Sequence, residues 1–329
     1  MQAFTSDHFV LPLPPGHRFP MGKYALLRDA VAQLLPQIRL CEAPPATEGE
    51  LALAHEPGYI DAVLQGWLSP AQQREIGFPW SPRMAERACR SVGASIAAAR
   101  VALSEGVAAN LAGGTHHASA AKGTGYCVFN DVAVAARLMQ AEWHRHHRSL
   151  LRVLVIDLDV HQGNGTAEIF ADDPTVFTFS MHGARNFPFR KVPSDLDVDL
   201  PDGCDDTAYL AALAQGLDTV WQRLQRTPPG LVFYLAGADP HEGDRLGRLK
   251  VTAGGLAQRD RFVLDALRER GLPVALSMAG GYGHDIAVTV ALQRHTLALA
   301  SESWVAWQQR RAASATRQPI AGADGTIAA

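Results

Sequence analysis

The sequence predicts an α/β fold: a single-domain, open, mostly parallel β-sheet flanked by helices, with its active site at the carboxyl ends of the strands. Three observations predict it. Apolar, β-branched runs alternate with amphipathic helical stretches, as in chained βαβ units. The runs are apolar at nearly every position, so each reads as a strand buried on both faces. Four of them end in glycine, imidazole or carboxylate groups, and open parallel sheets bind ligands beyond the carboxyl ends of their strands.

The strands expected in order are Val107–Ala112, Val153–Leu158, Thr175–Ser180, Leu231–Ala236 and Pro273–Ala279. Helical patterns occupy Met84–Leu103, Asp131–Trp143, Thr207–Gln225 and Ala253–Arg270. No internal repeat and no composition shift marks a second domain. We therefore read residues 1–310 as one domain. Residues 311–329, rich in Ala, Gly, Thr and Ser, read as a flexible C-terminal tail.

Bulk properties narrow the function. The net charge of −3 over 329 residues gives no electrostatic footprint for nucleic acid. The basic run His144-Arg145-His146-His147-Arg148 reads as a solvated turn before the next strand. The four cysteines, Cys41, Cys89, Cys127 and Cys204, form no C-x-x-C pair. Their spacing suits neither a disulfide framework nor a thiolate zinc site. No signal peptide and no apolar stretch of membrane-spanning length is apparent, so a cytoplasmic protein without a membrane partner is expected.

The most informative segment is Val153-Leu154-Val155-Ile156-Asp157-Leu158-Asp159-Val160-His161-Gln162-Gly163-Asn164-Gly165. A buried strand has no use for two carboxylates and an imidazole unless something binds their charges. Period-2 spacing predicts Asp157, Asp159 and His161 on one face at the strand's end. Carboxylates and a neutral imidazole suit a divalent cation such as zinc. Asp239, following its own buried run and stopped by Pro240, closes a three-ligand site with an open position. Two carboxylates leave a dication near neutral charge, so it acidifies water less than a tri-histidine site does. A nearby base is then required.

His116 and His117, after Gly113-Gly114-Thr115, fit that need. One is expected as general base and the other as its electrostatic partner. Asp157 and Asn164 are the available acceptors behind them. A carboxylate behind one imidazole and a neutral amide behind the other would separate their basicities, leaving the amide-backed one the better base near neutrality. Tyr282, in a Gly-Gly-Tyr-Gly turn, can donate to a developing oxyanion.

With these residues in view, the chain resembles the histone-deacetylase-like zinc amidohydrolases of the arginase/deacetylase fold. The matching blocks are Gly113–Ala118, Gly125–Asp131, Asp157–Gly165, Gly237–Asp244 and Gly280–Gly283. Gln162, the segment Glu242-Gly243-Asp244-Arg245-Leu246-Gly247, the tyrosine turn, and His17-Arg18-Phe19-Pro20-Met21-Gly22-Lys23-Tyr24 resemble the class IV branch and its bacterial relatives.

The resemblance implies zinc on Asp159, His161 and Asp239, with iron(II) also compatible with this oxygen-rich set. It implies His117 as general base and acid, with Asn164 behind it, and His116 as its partner, with Asp157 behind it. Asn164 stands where class I members carry Asp. Tyr282 is implied to polarise the scissile carbonyl. Gly125 and Tyr126 are implied to line an acyl-lysine tunnel faced by Phe187. A structural potassium near Asp157, Asp159, His161, Ser180 and Met181 is implied as well, held partly through backbone carbonyls.

The function so implied is removal of acyl groups from acyl-lysine in proteins. The alternatives are hydrolysis of an acetylpolyamine or another small acylated amine, and a catalytically inactive acyl-lysine-binding protein. A manganese ureohydrolase would want a second set of bridging carboxylates, and the sequence has one D-x-D at the strand end. The class IV likeness further implies tolerance of long fatty-acyl chains, with Gln162 and Glu242–Gly247 as the motivating features.

Overall fold

A computed structural model describes residues 1–316. The elements, in chain order, are β1 (Gln2–Thr5), α1 (Lys23–Leu34), β2 (Arg39–Glu42), α2 (Glu48–Leu51), α3 (Pro57–Gln65), α4 (Pro70–Ile76), α5 (Pro82–Glu105), β3 (Val107–Asn110), α6 (Asp131–His147), β4 (Val153–Asp157), α7 (Asn164–Phe170), β5 (Val176–Gly183), β6 (Leu196–Leu200), α8 (Asp206–Leu224), β7 (Leu231–Leu235), α9 (Ala253–Glu269), β8 (Val274–Ser277) and α10 (Ile286–Thr316).

The strands form one eight-stranded sheet in the order β2-β1-β3-β8-β7-β4-β5-β6. Every pairing in it is parallel. The five expected strands are its centre, β3, β4, β5, β7 and β8. The edge strands β2 and β6 and the short β1 are additions that the apolar pattern did not reveal.

Alternate residues of each central strand serve opposite faces. Val153 and Val155 join Leu231, Phe233 and Leu235 in the core under α5 and α6. Leu154 and Ile156 join Val232 and Tyr234 in the core under α1, α8, α9 and α10. Both faces are covered, as continuous apolar runs require.

Local signals set the helix ends. Ser81 accepts from the Met84 amide at 3.1 Å, Pro82 follows at the first turn, and Gly106 ends α5 at φ 90°. Asn130 caps α6, accepting from Ala133 at 2.9 Å. The run His144–His147, expected in a turn, is the last turn of α6, and Arg148 is its left-handed cap at φ 53°. Cationic side chains are favourable at that pole of a helix.

Helix α10 continues to Thr316, so residues 311–316 of the segment read as a tail are helical. Residues 317–329 lie outside the described residues. All four cysteines are free. Among the described residues, no helix is long and apolar enough to cross a membrane.

Candidate active site

The strands β3, β8, β7 and β4 are neighbours at the middle of the sheet, and the segment after each delivers site residues. His116 and His117 follow β3, Asp159 and His161 follow β4, Asp239 follows β7, and Tyr282 follows β8. One donor atom from each of Asp159, His161 and Asp239 lies within 4.8 Å of the others, and all three residues are buried.

The convergence differs from the period-2 expectation. Strand β4 stops at Asp157, so Asp159 and His161 are loop residues. Their placement comes from backbone N–H groups captured by carboxylates. The His161 amide donates to Asp159 Oδ1 at 2.9 Å, and the Val160 amide donates to Asp239 Oδ1 at 2.9 Å. The Gly280 amide donates to Asp159 Oδ2 at 2.8 Å. A Cβ at Gly280 would run into the Asp239 carboxylate, which is why the β8 turn can close over the site only with glycine there.

His161 Nδ1 sits 3.0 Å from Asp159 Oδ1 and 3.3 Å from Asp239 Oδ2. Among the described residues, no donor meets the buried Asp239 Oδ2 in hydrogen-bonding geometry. Burial and the charge of Asp159 push the Asp239 carboxyl up to about 7. Against the pull of burial, Asp159 and Asp239 raise His161 to about 10. Two buried carboxylates with an orphaned oxygen beside an imidazole form a donor set that a divalent cation would satisfy. These residues therefore fit a bound metal.

Behind the histidines, the two expected pairs are present. His116 Nδ1 donates to Asp157 Oδ2 at 2.6 Å, and His117 Nδ1 donates to Asn164 Oδ1 at 2.7 Å. The two rings are 4.2 Å apart. Burial depresses His116, but Asp157 and Asp159 overcome it and lift the group to about 9. His117 has no such carboxylate behind it. Burial, then His116 and His161, hold it well below the ordinary histidine value. The environments separate the two basicities in the direction expected from their partners.

A cavity of ≈ 420 Å³ opens onto these groups. Gly125, Tyr126, Phe187 and Tyr282 are among its walls. Phe187 packs perpendicular to His117 at 4.8 Å. A Cβ on Gly125 would stand 2.7 Å from the His117 ring and 3.0 Å from Phe187, so glycine admits both rings. Burial, with Tyr24 and Asp159 adding to it, holds the Tyr282 phenol well above its ordinary value and keeps it a proton donor.

Ser180 is in register with Asp157 across the β4–β5 pair, and its hydroxyl is 2.9 Å from His182 Nδ1. Met181 is buried beside it. Gln162 does not line the cavity. Its amide donates to Val192 O at 2.8 Å and to Asp197 at 2.9 Å.

Sequence reasoning missed three supports. Asp131 accepts from the amides of Gly114 at 3.1 Å and Thr115 at 2.7 Å, holding the loop that carries the histidines. Arg259, 1 % exposed, donates to Gly237 O at 2.6 Å and pairs with Asp260 at 2.8 Å, tying α9 to the Asp239 loop. Asp244 accepts from the Tyr282 amide at 2.6 Å. The findable signal was a charge on an apolar stripe: Arg259 and Asp260 share a helical face with Leu256, Val263 and Leu264.

The histone deacetylase domain matches residues 17–299. The chain belongs to the histone deacetylase family. An uncharacterized protein of Picosynechococcus sp. is 46 % identical over 292 residues, covering 88 % of this chain and 94 % of that protein. Histone deacetylase 2 of Arabidopsis thaliana is 34 % identical over 205 residues, 61 % of this chain and 51 % of that protein. The chain thus spans about half the length of that plant deacetylase. The acetoin utilization protein AcuC of Staphylococcus aureus is 27 % identical, covering 78 % of this chain and 69 % of that protein.

Two solved structures of the family share the fold. One is an HDAC homologue complexed with SAHA, at a TM-score of 0.73, 24 % identity and coverage of 93 % of this chain and 88 % of that chain. The other is an HDAC homologue from Aquifex aeolicus, at a TM-score of 0.75, 24 % identity and coverage of 91 % and 83 %. The expected arginase/deacetylase architecture is therefore the observed one.

Proposed function

We propose that this family member is a metal-dependent amidohydrolase that removes acyl groups from acyl-lysine in proteins. The single observation that carries the reading is the differently backed histidine pair, set beside the buried Asp-His-Asp cluster at the floor of one cavity. Family membership and the solved homologue with SAHA agree with it.

Asp159, His161 and Asp239 would hold the metal, zinc or iron(II). When bound, such a dication supplies Lewis-acid polarisation of the substrate carbonyl and of a water. His117, neutral at Nε2, takes the proton from the attacking water and later returns it to the leaving amine. The water oxygen bonds to the acyl carbon, the C–N bond breaks, and the products are an amine and a carboxylic acid. His116, held as a cation by Asp157, favours the negative charge that develops on the oxygen. The Tyr282 phenol donates to that same oxygen. Gly125, Tyr126 and Phe187 would pack the aliphatic stem of the substrate. Asp157, Asp159, His161, Ser180 and Met181 would surround a structural potassium.

The charge of the lining bears on the small-amine alternative. Arg74, Arg185 and Arg248 are exposed lining residues, against Glu75. Arg185 and Arg248 share Asp202, at 3.9 and 3.2 Å. A lining with excess positive charge repels a polycation. Peptides with neutral or acidic flanks are favoured over acetylpolyamines.

The test is turnover of the metal-loaded protein on acyl-lysine peptides with acetyl, octanoyl and myristoyl chains, beside acetylpolyamines, with His117→Ala as control. Release of carboxylate from peptides supports the reading. Turnover of polyamines alone favours the small-amine alternative. Tight binding of acyl-lysine with no release from any substrate makes the chain a binding protein.

A further inference from the structure

Lys23 is 1 % exposed, and no ion pair reaches it among the described residues. Its Nζ donates to two carbonyls, Ala279 at 3.4 Å and Gly281 at 3.3 Å. Both bonds are long. The same ammonium lies over the rings of Tyr24, at 5.2 Å, and Tyr282, at 5.3 Å. A buried ammonium without a carboxylate is unfavourable unless carbonyl dipoles and ring faces offset part of its lost hydration. Methionine, of similar length, would fill the space without that penalty. Packing alone therefore does not call for a charge here.

The two carbonyls it touches belong to the turn that carries Tyr282. That turn is strained: Ala279 has φ 48° although it is not glycine, and Gly281 has φ 149°. A turn in those angles needs its surroundings to hold it. Asp244 and Arg245 grip the Tyr282 backbone, Arg245 Nε donating to Tyr282 O at 2.8 Å. Among these contacts, Lys23 is the one that reaches the ring as well as the backbone. Phe19 adds an edge contact to Tyr282 at 6.0 Å. The His17–Tyr24 segment, which the hydrolytic machinery leaves unexplained, thus ends against the back of the tyrosine turn.

We propose that Lys23 is a positioning residue for Tyr282. Its buried ammonium pins the carbonyls of Ala279 and Gly281 and lies against the phenol ring, fixing the direction from which the hydroxyl meets the substrate carbonyl. A fixed cation beside the donor also favours the charge that develops on the acceptor oxygen. The inference rests on Tyr282 acting as that donor.

The experiment is a double-mutant cycle on the metal-loaded protein. Lys23→Met should lower kcat about 10- to 100-fold, the usual cost of removing a supporting partner, with KM changed far less. In the Tyr282→Phe background the same substitution should cost nothing further, because the group it positions is gone. Lys23→Gln, which keeps a donor but no charge, should fall between Lys23→Met and wild type.

Losses that multiply in the double variant would overturn the proposal, as would a wild-type kcat for Lys23→Met. Failure of both Lys23 variants to fold would overturn it too, since the residue would then serve the whole fold. A wild-type rate for Tyr282→Phe is a different result. It removes the donor role of Tyr282, and with it the basis of this inference.

Discussion

His117 Nδ1 lies 2.7 Å from Asn164 Oδ1. An amide oxygen only accepts, so the proton of His117 is fixed on Nδ1 and its Nε2 keeps a free lone pair facing the cavity. His116 makes the same kind of bond through Nδ1, but to a carboxylate, at 2.6 Å. One imidazole is thereby prepared to take a proton and the other to remain charged. His117→Ala should lose about 100- to 10,000-fold in kcat/KM, and His116→Ala distinctly less. Equal, small losses would show that neither is the base.

Asn164→Asp tests the same relationship through pH. Burial and the neighbouring imidazoles hold His117 well below its ordinary value. A carboxylate at position 164 favours the imidazolium and raises that value. The base must be neutral to act, so activity falls as pH drops through its pKa. The acidic limb of the kcat/KM profile should therefore move to higher pH in Asn164→Asp. An unmoved limb would separate Asn164 from the base.

The residues legible in the sequence were those whose chemistry contradicted their surroundings. Carboxylates and imidazoles at the ends of apolar strands had no structural use, and the comparison of backing groups, Asp157 against Asn164, could be made before any geometry. The edge strands were not legible. Arg39–Glu42 is half-exposed and polar, and Leu196–Leu200 alternates with aspartates. Helix α10 hid its register because Thr289, Gln293, Thr296, Ser301 and Ser303 are buried among its apolar residues. The supporting roles of Asp131, Arg259 and Lys23 were not legible for a related reason. In a helical pattern a charge reads as a solvated face, and only packing shows it turned inward.

Tyr282→Phe removes one hydroxyl while keeping the ring that packs near Phe19 and Tyr126. The donor acts on charge that appears mainly in the transition state, so kcat should suffer more than KM. A loss of about 100- to 1,000-fold is expected, with metal content and melting temperature unchanged. A wild-type rate would make the tyrosine a wall and nothing more.

Asp239 contributes a buried oxygen that no donor meets among the described residues, so its removal should be felt in metal content before anything else. Asp239→Ala should lose tight metal binding and most activity. Metal analysis of the purified protein after dialysis decides this. Full occupancy in Asp239→Ala would remove the residue from the ligand set. Burial and the charge of Asp159 make the Asp239 carboxylate easier to protonate, and protons compete with the metal for it, so occupancy in the wild type should fall as the pH is lowered.

Acid stability should depend on a histidine outside the catalytic set. His55 Nε2 accepts from the Asn130 amide at 2.8 Å, and Asn130 in turn donates to Ala118 O at 3.0 Å, next to His117. An acceptor nitrogen must be unprotonated, and burial lowers His55 from 6.5 to about 4. The folded state therefore binds fewer protons than the unfolded state between those values. The stability from His55 is fully present above about pH 6.5 and is lost progressively as pH falls toward 4. At about 1.4 kcal/mol per unit of pKa, the loss is roughly 3 kcal/mol. His55→Gln offers an amide oxygen in place of Nε2 and cannot titrate. Urea denaturation of both proteins across this pH range should show the wild type losing that amount relative to His55→Gln. Parallel pH curves for the two proteins would show that His55 is not the titrating group.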